Sequence, residues 1–82
     1  MSHTPHELHD EFPDQAGSIH ALKTTNRHFE RLAEEYHAVN REIHRIEAGL
    51  VGVDGYHAEE LKKRRLKLKD EIAGMLAGHK AA

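Results

Sequence analysis

From Phe29 onward the large apolar residues fall at Phe29, Leu32, Tyr36, Val39, Ile43, Ile46 and Leu50, in alternating steps of three and four. A helix advances about 100° per residue, so this spacing lines one face with the a and d positions of a heptad seam. Leu22 extends the seam upstream by one heptad, Thr25 takes the next d position, and Ile19 lies beside the stripe. A second stripe of Ala58, Leu61, Arg65, Leu68, Ile72 and Met75 repeats the period, interrupted by one arginine and flanked by Leu66 and Leu76. Between the stripes, Gly49, Gly52 and Gly55 punctuate a turn in which Asp54 is placed to cap a second helix.

These signals predict a long helix over residues 14–48, a turn over 49–54 and a second helix over 55–77. Upstream, Thr4–Pro5–His6–Glu7 has the composition of a helix start, and a short helical arm over 5–11 is expected with Leu8 and Phe12 as its apolar anchors. Pro13 stops that arm, because a proline inside a helix removes a hydrogen bond and clashes with the preceding turn.

A short connection makes the two helices antiparallel, so residues whose numbers sum to about 104 face one another. Tyr36 then meets Leu68, Leu32 meets Ile72, and Arg65 falls opposite Val39 and Asn40, within reach of the Asn40 amide. The second helix ends near the level of Asn26, which leaves Ile19 and Leu22 without a partner inside the hairpin. Two helices also bury little, and a chain of 82 residues is a small domain. The expected core therefore comprises Ile19, Leu22, Phe29, Leu32, Tyr36, Val39, Ile43, Ile46, Leu61, Leu68, Ile72, Met75 and Leu76, shared between two copies in a dimeric four-helix bundle.

Composition narrows the function classes. Charged residues make up 32%, hydrophobic ones 38% and aromatics 5%, with mean hydropathy -0.76, so there is little material with which to close a catalytic cleft. The absence of cysteine removes disulfides, thiolate metal sites and cysteine nucleophiles together, and it fits a reducing compartment. There is neither a spanning stretch of about 20 apolar residues nor a secretory apolar region, so the expected setting is the cytoplasm. Residues 1–22 carry four acidic side chains and no Lys or Arg, whereas residues 49–82 carry seven basic against five acidic ones. Such complementary ends favour contact with each other over avid binding to one polyanion.

His6–Glu7–Leu8, Glu11–Phe12–Pro13, Leu22–Lys23, Phe29, Tyr36, Ile43 and Arg45–Ile46–Glu47 are joined by a further run. It comprises Leu61–Lys62–Lys63, Arg65–Leu66 and Leu68–Lys69–Asp70–Glu71–Ile72. In this order and spacing, across residues 5–76, the chain resembles the YdcH-like family of small bacterial proteins. The resemblance implies an all-helical hairpin of unknown function, with no catalytic or ligand residues to carry over. The turn departs from the family's usual acidic, proline-containing connection.

Three constellations carry chemistry of their own. His3, His6 and His9 repeat at three-residue steps beside Glu7 and Asp10, a donor set suited to Zn2+, Ni2+ or Cu2+, but on a short exposed arm that supplies no outer shell to hold the ligands. Nine histidines also make the formal charge sensitive to mildly acid pH. The run Lys62, Lys63, Arg64, Arg65, Lys67 and Lys69 is the best candidate for a polyanion face. On a helix it fans around the axis, and Glu59–Lys63, Glu60–Arg64 and Lys67–Glu71 are spaced for ion pairs along a solvated face. No nucleophile lies beside a base, and the glycines at 49, 52 and 55 follow no strand, so no phosphate loop is expected.

The expectation is an all-α, antiparallel two-helix coiled-coil hairpin with a short N-terminal arm that dimerises. It is read as a non-enzymatic interaction module without catalytic, cofactor or metal residues, whose partners are a second copy and another protein. The alternative is polyanion binding, including nucleic acid, through the basic second helix.

Overall fold

Local backbone chemistry divides the N-terminal third. The computed structural model describes residues 6–49 and 55–81. Among these the chain is all-helical, comprising α1 (Leu8–Glu11), a 3-10 turn (Pro13–Gln15), α2 (Ala16–Thr25), α3 (Arg27–Glu47) and α4 (Gly55–Ala81). The arm helix starts later than its composition suggests, because His6 has a left-handed φ of 63° that no right-handed helix can run through. The Glu7 N–H is instead satisfied at 3.3 Å by the Asp10 carboxylate. Thr4 and Pro5, the expected start, lie outside the described residues. Phe12 leaves the helical region with φ -131° and ψ 63°, and Pro13 opens the 3-10 turn that redirects the chain into α2.

The long helix expected over 14–48 is two helices, parted at Asn26. That residue is extended, with φ -129° and ψ 107°, and its side-chain oxygen accepts from the Phe29 N–H at 3.0 Å as the cap of α3. The preceding hydroxyls bond back into α2: Thr25 donates to the Ala21 carbonyl at 2.7 Å, and Thr24 to the Ala21 carbonyl at 3.0 Å. Such back-bonding competes with the regular ladder and bends helices. The heptad pattern runs through the break and no Gly or Pro lies between residues 18 and 48. Propensity alone therefore permits a continuous helix, and tertiary packing decides against it. The break folds α2 back onto α3 and α4, where Ile19 is 8% and Leu22 7% exposed. The expectation that these two side chains are left uncovered within one chain is thereby corrected.

The core they join contains Phe29, Leu32, Tyr36, Val39 and Ile43 from α3 with Leu68, Ile72 and Leu76 from α4. Leu61 and Met75 pack against it partly buried, and Ile46 is half-buried. Leu8 and Ala33, absent from the expected core, complete it. Polar contacts run in opposite order along the two long helices, with Lys62 near Glu47 and Arg65 on Asn40. Gly49 ends α3 with a left-handed φ of 77°, and its N–H returns to the Ile46 carbonyl at 3.0 Å. Leu50 and the rest of the expected turn, 50–54, lie outside the described residues. α4 continues past its expected end at residue 77 as far as Ala81, its late turns held by the fully buried Leu76. The longest dimension, 44 Å, is close to the roughly 40 Å that a 27-residue helix spans at 1.5 Å per residue.

Candidate functional site

The densest polar chemistry lies where the arm crosses α3 and α4. Glu7 enters with both carboxylate oxygens engaged: Oε1 accepts from the Asn40 amide at 3.2 Å, and Oε2 lies 3.0 Å from His37 Nδ1. Asn40 is only 1% exposed, and its oxygen in turn accepts from Arg65 at 2.9 Å, so one amide links the arm to both long helices. One turn further along α1, Glu11 accepts from the Lys69 ammonium at 2.7 Å and lies 3.5 Å from His6 Nδ1. The Lys69 hydrogen bond holds the Glu11 carboxyl below its usual range, although partial burial pushes the other way. Tyr36 closes the cluster, its hydroxyl donating to the His6 carbonyl at 2.6 Å. Burial, with the Glu11 carboxylate nearby, pushes this phenol up to about 12.

α1 has four residues and could not stand alone. It is held by Leu8 in the core and by this clasp. The periodic register pointed to the Arg65–Asn40 contact, but little in it pointed to Glu7, Glu11 or His37. The available signal was electrostatic, an acidic segment in a chain with a basic second half.

Four of the six cations of the candidate polyanion face make contacts within the fold, although Lys62 and Arg64 remain exposed. Lys62 lies 3.6 Å from Glu47, Arg64 is paired with Glu35, Arg65 bonds Asn40 and Lys69 bonds Glu11. Among the described residues only Lys63 and Lys67 of the six make no such contact. The pairs expected along the helix, Glu59–Lys63, Glu60–Arg64 and Lys67–Glu71, do not form among the described residues; the cations that pair do so across helices, where acids of α1 and α3 are within reach. Leu66 lies on the same outer face and is 60% exposed.

Imidazoles and carboxylates also meet at a cleft of about 310 Å3 between the arm, α2 and α3, lined by Glu7, His9, Ile19, Lys23, Glu34 and His37. Its most buried acid, Glu7, is already satisfied by His37 and Asn40. His9 lies 3.6 Å from Asp10, and His3 is outside the described residues. Among the described residues no group of three or more His, Asp or Glu side chains is arranged to hold a metal ion. No helix among them is long and apolar enough to cross a membrane.

A family model described as "Protein of unknown function (DUF465)" matches residues 29–76, more than half of the 82-residue chain. The chain belongs to the DUF465 family. YdcH-like proteins are members of it, so the resemblance and the match agree. The family region coincides with α3 and most of α4, whereas α1 and α2 lie outside it. No curated protein and no solved structure matches the chain.

Proposed function

We propose that the chain is a non-catalytic helical hairpin that serves as an interaction module, binding a protein partner and associating with a second copy of itself. The observation that carries this reading is the division of labour within the chain. The α3–α4 pair presents an apolar face, and the segment covering it, residues 6–25, lies outside the family region and joins α3 at an extended residue, Asn26. A helix pair whose apolar face is held under a separately joined segment has a surface to offer other helices. The acids and imidazoles gathered at the arm, Glu7, Glu11, His6 and His37, are engaged in holding the cover down, which favours a structural role for that cluster over a catalytic one. A cytoplasmic setting belongs to the same reading, since a chain without cysteine loses nothing in a reducing compartment.

Polyanion binding is the weaker alternative, because four of its six cations are committed within the fold and leave Lys63 and Lys67 beside an exposed leucine. Light scattering from low to high micromolar concentration, with capture of partners before and after nuclease treatment, tests both. Concentration-dependent association with nuclease-resistant capture of protein supports the module. A strict monomer that retains nothing once nuclease has acted overturns it.

A further inference from the structure

We infer that two copies associate by exchanging residues 6–25, each chain laying its arm and α2 on the α3–α4 face of the other, with Asn26 as the hinge. This rests on the self-association proposed above and specifies how it occurs. The occupant of the face is already known from the closed chain, where Leu8, Ile19 and Leu22 fill the apolar surface and Glu7 and Glu11 meet His37, Asn40 and Lys69. An identical segment from a second chain makes the same contacts, so exchange forfeits none of them.

What changes is the hinge, and the sequence is compatible with both of its states. The seam positions Leu22, Thr25, Phe29 and Leu32 keep heptad spacing across Asn26, with no Gly or Pro from residue 18 to 48. In the closed chain the break leaves the first N–H groups of α3 without helical partners. Asn26 supplies one substitute through Phe29, and its carbonyl accepts from Glu30 at 3.0 Å. Straightening Asn26 joins α2 and α3 into one helix over residues 16–47 and satisfies the remaining amides. The opened segment then projects beyond its own α4, and the apolar face it vacates needs a cover of the same shape. A second opened chain supplies that cover and receives one in return.

The hinge also predicts how the equilibrium responds to substitution. Asn26→Ala removes a cap used only in the closed state and improves a mid-helix position in the open one, shifting each chain's opening by about fivefold. Two chains open per dimer, so the dimer's dissociation constant falls by about twenty-five-fold.

The chain has no cysteine, which permits a direct test. A chain carrying only Glu7→Cys and a differently tagged chain carrying only His37→Cys are unfolded together and refolded at high concentration. They are then treated with a short bismaleimide, alongside a control pair of Glu7→Cys with Lys63→Cys. The exchange predicts a dimer by light scattering in which the 7–37 pair cross-links between chains and the 7–63 pair does not. A dimer without that selective cross-link overturns the exchange and leaves self-association standing. A monomer at every concentration, in the parent and in the Asn26→Ala chain, overturns both.

Discussion

The Tyr36 hydroxyl donates a 2.6 Å hydrogen bond to the carbonyl of His6, thirty positions earlier in the chain. A ring that the heptad pattern places in an interhelical seam thus also reaches out of it, and its polar tip holds the N-terminal arm.

Tyr36→Phe keeps the ring in the core and removes only that bond. The expected loss is about 1 kcal/mol, toward the low end because the freed carbonyl of the exposed His6 can turn to water. In urea unfolding the midpoint should fall while the slope stays unchanged, since the surface exposed on unfolding is the same.

The same hydroxyl makes the fold sensitive to alkali. Its pKa is raised from 10 in the free side chain to about 12, so the folded state holds the proton more tightly than the unfolded one. That stability is fully present below pH 10 and is lost as pH rises through 12. Unfolding midpoints should decline across this window in the parent and decline less in Tyr36→Phe.

Acid acts on the other anchor. Glu11 is held below its ordinary value of 4.5 by Lys69, so its contribution is present above that pH and lost as pH falls further. Lys69→Met should cost up to about 1 kcal/mol at neutral pH and blunt the acid sensitivity of the parent. Thermal melts by circular dichroism between pH 3 and 7 would show a smaller drop in the variant.

Burial separates two apolar residues of α4. Ile72 is fully buried, and Ile72→Ala should cost roughly 2–5 kcal/mol. A chain of this size has a total stability of about 4–12 kcal/mol, so that change should leave it marginal. Leu66 is 60% exposed, and Leu66→Ala should change stability by no more than about 0.5 kcal/mol. Denaturant melts on the two variants make the comparison.

Two glycines respond in opposite directions to alanine. Gly74 is inside α4, and an added methyl group there meets nothing within 4 Å, so Gly74→Ala should stabilise by about 0.5–1 kcal/mol. Gly49 ends α3 at φ 77°, and Gly49→Ala should destabilise by about 1 kcal/mol even though it too has open space around it. Thermal melts of both give the signs.

Much of this architecture was legible as periodicity, because helices signal themselves by spacing. The two apolar stripes, the proline stop at 13 and the contact of Arg65 with Asn40 all follow from counting residues. The break at Asn26 did not, since nothing local enforces it: Thr24, Thr25 and Asn26 are weak helix formers that tolerate either state, and the choice is made by burying Ile19 and Leu22 elsewhere. The individual pairs that Glu7 and Glu11 make in the clasp were illegible for a related reason, although the opposite charge of the two ends was not. Glu7 and Glu11 sit in a segment too short for any period, and their partners are ordinary polar residues on α3 and α4 until the arm arrives.

Asn40 has a consequence for how the long helices align. Sliding α4 along α3 by one heptad in one direction would put Leu68 at the level of Leu61 and Met75 at the level of Leu68, exchanges that apolar packing scarcely resists. At the level of Asn40 that slip would instead bring Ile72 against the buried amide and carry the Arg65 guanidinium away from it. Such a slip sacrifices buried hydrogen bonds and gains nothing comparable. A single polar rung in a repetitive ladder thus counts against a slip that the leucine rungs alone would tolerate.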